Sequence, residues 1–221
     1  MSKTTNEPGG RIKNLLFDLG GVIMQIDRKR CEAAFRSLGF EDVGDYLGDY
    51  GQKGAFAALE AGEITAGEFR AAIRRHIARE VSDREIDAAF EAFLIGIPLE
   101  RLHELEELRR HYKIYLLSNT NPIMWNGFIA ESFREDGKDI SHYFDGMVTS
   151  FEARCMKPSP EIFAYCSEKL GIEPGETLFF DDSEANCEAA RRCGFHAVRV
   201  RGFSDALRGH RFSASSGLHA L

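Results

Sequence analysis

An aspartate ends an apolar run near the start of the chain, and two glycines follow it closely. The stretch reads LFDLGGVI, with Asp18 at the end of the apolar run and Gly20-Gly21 behind it. A carboxylate in this position can attack an electrophile or hold a cation. Glycines leave room for the backbone to approach a tetrahedral anion. The alternative is an ordinary junction between a strand and a turn, and the rest of the chain decides between the two.

Other polar residues follow apolar segments later in the chain. Ser118 and Asn119 end the segment KIYLLSN, Asp181-Asp182 ends TLFFDD, and Lys157 lies in a loop before a proline. Strand and helix patterns alternate from residue 113 onward, which predicts a parallel sheet with crossover helices. Ligands of open parallel sheets bind beyond the carboxyl ends of the strands. We therefore expect these residues and Asp18 to meet at one edge of the sheet.

Two of the carboxylates predict a metal site. Asp18 and Asp182 can converge on a hard cation with oxygen ligands, such as Mg²⁺, and the Gly20 carbonyl can supply a further oxygen. Asn186 either orients the loop after Asp182 or is an ordinary residue of the first helical turn. The expected cofactor is Mg²⁺.

The remaining residues predict an anion site beside that metal. Lys157 can neutralise a dianion together with the metal, and the Ser118 hydroxyl and Asn119 amide can donate hydrogen bonds to its oxygens. Asp18 can then attack phosphorus, with Lys157 as the second catalytic residue. The structural alternatives stay open, because serine and asparagine also end strands and a lone lysine is usually a surface residue.

The elements that must position these residues fall into two groups. Residues 12–17 predict a first strand that joins the later sheet, and the segment between them carries only helical patterns. These helices are expected near 28–38, 54–61, 66–79 and 83–93, before a helix that Pro98 opens. We expect an α/β core over 11–24 and 97–208, an inserted helical cap over 25–96, and mobile tails over 1–10 and 209–221.

Four motifs, taken together and in order, resemble those of the haloacid dehalogenase-like hydrolase superfamily. They are FDLGGV at 17–22, LLSN at 116–119, KPSPEIF at 157–163 and FFDDSEAN at 179–186. The resemblance is to the phosphatase branch with a helical cap after the first strand. It implies a Rossmann-like parallel sheet carrying an inserted all-α cap.

The resemblance also implies roles for single residues. It implies that Asp18 is the nucleophile and also binds the metal. The implied phosphate-binding side chains are those of Ser118, Asn119 and Lys157. The implied further metal ligands are the Gly20 carbonyl and Asp182. Asp181 is then either a third carboxylate ligand or, like Asn186, a residue that supports the ligands from behind.

One position departs from the family pattern. Phosphatases of this family usually carry a second aspartate two residues after the nucleophile, which protonates the leaving oxygen and then activates water. Gly20 occupies that position here. General acid–base catalysis typically contributes 10²–10⁴-fold, so its loss should weaken turnover of poor leaving groups. Members with a D-L-G-x-V motif occur, some resembling an α-glucose-1-phosphate phosphatase, and the Gly20 carbonyl remains available to a metal.

Composition narrows the class of protein. The net charge of −7 over 221 residues argues against a nucleic-acid partner, and no apolar run approaches the length of a membrane span. The five cysteines include no C-x-x-C pair and predict neither a disulfide framework nor a zinc site. The start of the chain does not resemble a secretory signal, so we expect a cytoplasmic protein. Neither composition nor motifs indicate an oligomeric state.

These observations favour a Mg²⁺-dependent phosphatase that hydrolyses a small phosphorylated metabolite, a sugar phosphate in particular, through an aspartyl-phosphate on Asp18. A protein that binds a phosphate ligand with weakened catalysis is the first alternative, because of Gly20. A 2-haloacid dehalogenase is the second, although its chemistry needs no metal and the Asp181-Asp182 pair argues against it.

Overall fold

The computed structural model describes residues 11–48 and 51–201. The expected tails over 1–10 and 209–221 lie outside the described residues, as does the end of the expected core from residue 202. Within the described residues the strands are β1 (Asn14–Phe17), β2 (Gln25–Ile26), β3 (Leu94–Gly96), β4 (Lys113–Ser118), β5 (Gly146–Thr149), β6 (Thr177–Asp181) and β7 (His196–Arg199).

The helices surround these strands. In the described part of the chain they are α1 (Arg28–Leu38), α2 (Gly54–Glu60), α3 (Ala66–Arg74), α4 (Asp83–Glu91), α5 (Leu99–Arg109), α6 (Pro122–Met124), α7 (Ala130–Phe133), α8 (Ile140–Tyr143), α9 (Ser150–Ala153), α10 (Pro160–Leu170) and α11 (Glu184–Arg192). Short 3₁₀ turns cover Val43–Asp45, Arg134–Asp136 and Pro174–Glu176, and a π turn covers Trp125–Ile129. No helix among these residues is both long and apolar enough to cross a bilayer.

The sheet is parallel, with the order β5-β4-β1-β6-β7 in the described residues. β1 lies at its centre and is buried on both faces. Leu15 and Phe17 pack into the larger apolar cluster, and Leu16 packs into the smaller one. A continuous apolar run is typical of such a central parallel strand. The predicted α/β class with crossover helices is confirmed.

The direction of the chain through the sheet reverses beside β1. The chain runs from β1 outward through β4 to β5, and then returns to place β6 on the other side of β1. In open α/β sheets the crevice at such a switch point binds ligands, beyond the carboxyl ends of the two strands. Asp18 follows β1, and Asp181-Asp182 lies at the end of β6, so both acidic positions lie at this crevice.

In the described residues, the segment between β2 and β3 holds four α-helices, α1 to α4, and three of them begin at a side-chain cap. Thr65 and Ser82 begin α3 and α4 as capping boxes, with Glu68 and Glu85 as their partners. The Asp27 side chain accepts a hydrogen bond from the backbone of α1, so this residue caps a helix. These caps explain why the predicted starts of α1, α3 and α4 agree with the structure, whereas α2 begins without a side-chain cap.

Helix α3 ends at Arg74, five residues before the predicted end at 79. The amides of His76 and Ile77 donate to carbonyls three residues back. This is 3₁₀ hydrogen bonding, which ends the α-helix. The Arg74 guanidinium donates to the Val81 carbonyl, which holds the segment before α4 against the end of α3. The chain is extended at Ser82 to begin the next helix.

The inserted segment also contains two short strands that the sequence pattern did not predict. β2 and β3 pair antiparallel, with Gln25 opposite Gly96 and Ile26 opposite Leu94. They place the entry and the exit of the helical segment side by side. A strand of two residues has too few positions to show an alternating pattern, so no signal could have found it.

Candidate active site

Asp18 begins the site at the carboxyl end of the central strand. Its backbone N–H donates to the Phe180 carbonyl at 2.9 Å, which fixes it against the end of β6. The Asp18 side chain lines a cleft between the sheet edge and the helical segment. Its carboxylate is largely buried, with 12% of the side chain exposed.

Lys157 approaches from the loop between α9 and α10. Its Nζ lies 2.8 Å from Asp18 Oδ1 and 2.7 Å from Asp181 Oδ2, and it donates to the Leu117 carbonyl at 3.0 Å. The peptide bond to Pro158 is cis. Burial disfavours the charge on Lys157, but the two carboxylates outweigh that effect and raise its pKa. The lysine is therefore an ammonium ion held between two acids, not a surface residue.

Asn119 holds the Lys157 loop in place. Its side-chain amide donates to the Lys157 carbonyl and its oxygen accepts from the Lys157 N–H, both at 2.9 Å. Ser118 is buried at the end of β4 and lines the same cleft. The structure thus brings all three predicted phosphate-binding side chains, those of Ser118, Asn119 and Lys157, to the site. It also shows a task for Asn119 that the sequence did not indicate, namely to position the lysine.

Asp181 is fully buried and fully occupied by donors. Its carboxylate accepts from the Ser183 N–H at 2.8 Å, from the Asn186 amide at 3.0 and 3.1 Å, and from Lys157. Asn186 therefore orients the Asp181 carboxylate, a contact that the sequence did not predict. With its oxygens engaged in this way, Asp181 is suited to support the ligands from behind.

Asp182 lies at the open side of the crevice. One carboxylate oxygen from each of Asp18, Asp181 and Asp182 lies within 4.8 Å of the others. Burial and the neighbouring charge of Asp181 raise the pKa of Asp182. Burial raises the pKa of Asp18 to about 7, against the opposing effect of Lys157. One lysine therefore does not neutralise three carboxylates, and the excess negative charge suits a divalent cation.

The backbone around Gly21 makes room for this arrangement. Gly21 has a φ of +74°, and a Cβ there would collide with the Asp182 carboxylate. The Gly20 backbone also lines the cleft, beside Asp18. An all-oxygen donor set of carboxylates and a backbone carbonyl is what Mg²⁺ prefers. The residues present therefore fit the expected metal.

The helical segment closes the other side of the cleft. It contributes Gln52, Glu60, Phe90 and Phe93 to the lining. The sequence did not single out Glu60, because nothing in a helical pattern indicates which of several glutamates will face a distant strand end. Among the described residues that line the cleft, Lys157 is the cationic one.

The comparison with known proteins rests on most of the chain. A family model for haloacid dehalogenase-like hydrolases matches residues 12–194. The chain belongs to this family. D-ribitol-5-phosphate phosphatase of Bacteroides thetaiotaomicron is 36% identical over 194 residues, covering 88% of this chain and 94% of that protein. The predicted family is confirmed.

Solved structures agree with this assignment. A HAD family enzyme of Bacteroides thetaiotaomicron, in complex with magnesium and inorganic phosphate, matches with a TM-score of 0.80 and 42% identity, covering 85% of this chain and 93% of that one. A HAD-like family hydrolase of Porphyromonas gingivalis matches with a TM-score of 0.79 and 34% identity, covering 86% and 91%.

Proposed function

We propose that this member of the family is a Mg²⁺-dependent phosphatase that hydrolyses a small phosphorylated metabolite through an aspartyl-phosphate on Asp18. The observation that carries the proposal is the contact of Lys157 with both Asp18 and Asp181 beside Asp182, at the switch point of the sheet. The relatives support a phosphatase over a pure binding protein and over a dehalogenase.

Each residue then has a defined part in the reaction. Asp18 attacks phosphorus in line with the leaving oxygen, and water later hydrolyses the aspartyl-phosphate. Lys157 balances the charge of the nucleophile and of the phosphoryl oxygens. The Ser118 hydroxyl and the Asn119 amide bind those oxygens. These groups are held in place before substrate arrives, which is the arrangement that electrostatic catalysis requires.

The metal would be held by Asp18, Asp182 and the Gly20 carbonyl, with Asp181 and Asn186 behind them. Mg²⁺ would supply charge neutralisation that lets a carboxylate approach a phosphate dianion. The position of Asp182 depends on Gly21, and that of Lys157 depends on Asn119. The chain thus places oxygen ligands for the cation on one side of the site and hydrogen-bond donors for the phosphate on the other.

The cleft favours a substrate with one phosphate and an uncharged remainder. Beyond Lys157, the lining offers no cation among the described residues, so a second phosphate or a carboxylate would have no counter-charge. The side facing away from the sheet offers the Gln52 amide, the Glu60 carboxyl and apolar side chains, which suit hydroxyl groups on a carbon chain. A sugar or polyol monophosphate meets these requirements, and D-ribitol-5-phosphate phosphatase is a relative consistent with that class.

The test is phosphate release from a panel of esters with Mg²⁺, using the wild-type protein and Asp18→Asn. The panel includes ribitol 5-phosphate, glucose 1-phosphate, fructose 1,6-bisphosphate and p-nitrophenyl phosphate. We expect turnover of the monophosphates to exceed that of the bisphosphate, and Asp18→Asn to reduce it by at least about 10³-fold. Circular dichroism confirms that the variant is folded.

Two outcomes would contradict the proposal. The first is an absence of Asp18-dependent release from every ester. The second is equal activity after chelation of the metal. A trapping experiment adds direct support, because acid quenching during turnover should leave phosphate attached to a peptide containing Asp18 in the wild-type protein.

A further inference from the structure

The two sides of the cleft differ in whether they offer a side chain that can donate a proton to the substrate. On the sheet side, Asp18 and Asp181 are paired with Lys157, and Asp182 lies beside Asp18 where a metal fits. The residue two positions after the nucleophile is Gly20, which has no proton to give. On the helical side, Glu60 is the titratable side chain that lines the cleft within the described residues.

Glu60 lies at an unfavourable place for a carboxylate. It is the last residue of α2, where the helix dipole is negative, and its side chain is partly buried. The carboxyl group has no hydrogen bond or ion pair with any described residue. A partly buried acid that has no partner among the described residues costs free energy, and such exceptions are typical of functional sites.

The end of α2 is fixed against the core. Gly62, two residues after Glu60, has a φ of +68°, and a Cβ there would collide with the Phe151 carbonyl at the start of α9. The backbone of the helical segment therefore lies directly on the backbone of the core at this point. This contact sets where Glu60 stands relative to Asp18.

In-line displacement determines which side of the cleft must supply a proton. The leaving oxygen lies opposite the attacking carboxylate across phosphorus. Asp18 attacks from the sheet, so the leaving oxygen faces the helical side, where Glu60 lies. We propose that Glu60 is the general acid and base of the phosphatase reaction and takes the place of the aspartate absent at position 20. This inference rests on the proposed function.

The proton balance of both steps closes with this residue. In the first step the Asp18–phosphorus bond forms, the bond from phosphorus to the leaving oxygen breaks, and the leaving oxygen takes the proton of Glu60. In the second step water attacks phosphorus and the electron pair of the breaking bond returns to Asp18. The Glu60 carboxylate takes the proton of the water, which restores the starting state.

The acidity of Glu60 suits this part. Burial raises its pKa to about 8, so the acid is protonated near neutral pH and can still give its proton up. Asp18, Lys157 and Asp182 are the titratable groups across the cleft. Helices α3 and α9, which pack on α2, contribute no residue to the cleft lining. The charged residues of α3, Glu68, Arg70 and Arg74, bond to Thr65, Asp87 and Val81. Glu152 of α9 pairs with Lys169.

The test measures how the rate depends on the leaving group in wild-type protein and in Glu60→Gln. The substrates are aryl phosphates of graded phenol acidity, together with ethyl phosphate, none of which carries extra hydroxyl groups. We expect Glu60→Gln to lower kcat for ethyl phosphate by about 10²-fold or more, and for p-nitrophenyl phosphate by less than about tenfold. Glu63→Gln, an exposed glutamate three residues away, is the matched control and should change neither rate.

A second variant keeps the experiment informative if Glu60→Gln is simply damaged. A Cβ at Gly20 would meet Ile26 side-chain atoms at 3.6 and 3.7 Å, which are ordinary van der Waals distances, so the backbone admits a side chain there. The double variant Gly20→Asp/Glu60→Gln should regain at least about tenfold in kcat on ethyl phosphate. The alkaline limb of the wild-type pH profile should be absent in Glu60→Gln, because glutamine does not titrate.

The outcomes separate the two proposals. An equal loss on all esters, or a loss in KM alone, would show that Glu60 only shapes the cleft and would overturn the inference while leaving the phosphatase intact. If the wild-type protein hydrolyses no ester, the proposed function fails. The protonation of Glu60 is then tested by infrared spectroscopy at neutral pH. We expect the wild-type protein to show a carbonyl band of a protonated carboxylic acid that Glu60→Gln lacks, and identical spectra in this region would overturn the inference.

Discussion

The two sides of the cleft are built on different principles. On the sheet side, Lys157, Asp181 and Asn119 form a network in which each carboxylate, ammonium or amide group has a partner at 2.7 to 3.1 Å. On the helical side, Phe90 and Phe93 present apolar surface, and the one carboxyl group, that of Glu60, has no partner among the described residues.

This difference separates two requirements of the reaction. The phosphoryl group is the same in every phosphate ester, so its binding groups can be fixed in advance and fully hydrogen-bonded. The leaving group differs from one ester to the next, and its pocket needs apolar walls and few polar groups. The comparison predicts that changes on the sheet side alter both stability and chemistry. Changes in the capping of the helical segment should alter stability alone.

The largest effect is expected from Lys157→Met. The substitution leaves Asp18 and Asp181 buried without a counter-ion, which should lower the free energy of unfolding by about 3–5 kcal/mol and abolish turnover. The loss should shrink as the pH is lowered from about 8 to about 5. Unpaired buried carboxyls have raised pKa values in the folded state, so they bind protons more readily there than in the unfolded chain. Urea denaturation across that range of pH measures this.

Lys169→Met provides the matched control. Lys169 forms an exposed ion pair with Glu152 at 3.4 Å, and such pairs contribute less than about 1 kcal/mol. A similar loss of stability in both lysine variants would contradict the view that the sheet side depends on a buried, paired charge.

A smaller and more local effect is expected from Gly21→Ala. The methyl group meets a backbone with positive φ and displaces the Asp182 carboxylate. We expect a loss of about 1–2 kcal/mol in stability and a 10- to 100-fold weaker binding of Mg²⁺, of the order seen when support for a ligand is removed. Calorimetric titration with Mg²⁺ measures the second effect.

Gly171→Ala separates the two contributions. Gly171 has a φ of +63° at the end of α10, but nothing lies within 4 Å of the position of a Cβ. It should show the loss of stability with unchanged Mg²⁺ affinity. If Gly21→Ala bound Mg²⁺ as tightly as Gly171→Ala does, the position of Asp182 would not matter to the metal.

The smallest effect is expected from Ser82→Ala in the helical segment. The hydroxyl accepts from the Glu85 N–H at 3.2 Å and caps α4, and Ser82 is not among the residues that line the cleft. Its removal should cost about 1 kcal/mol of stability and leave kcat and KM unchanged. Thermal melting and steady-state kinetics check both points, and a fall in kcat would show that the capping of α4 is coupled to the chemistry.

The sequence alone predicted the sheet side of the site for a physical reason. Carboxyl ends of parallel strands share one edge, so the positions of Asp18, Ser118 and Asp182 after apolar runs already imply that they meet. Lys157 required more, because a lysine before a proline has no signal of its own. Only the motifs around it indicated that its loop reaches the same edge.

The helical side could not be predicted in the same way. Whether Glu60 faces the cleft depends on how α2 rests on Phe151, a contact between residues far apart in the chain. Periodicity shows which face of a helix is apolar but not which distant element it will meet. The boundaries of the cap and the tails stay predictions, as do the roles of the single site residues.

The pairing of β2 with β3 has a consequence for how the protein can diversify. The Asp27 N–H donates to the Phe93 carbonyl at 2.8 Å. This bond and the β2–β3 pairing hold the two ends of the helical segment together, so the segment behaves as a closed loop. Doubling the length of a flexible closed loop costs only about 0.6 kcal/mol of chain entropy. The helical segment between β2 and β3 can therefore be lengthened, shortened or replaced without displacing β1, the strand that precedes Asp18.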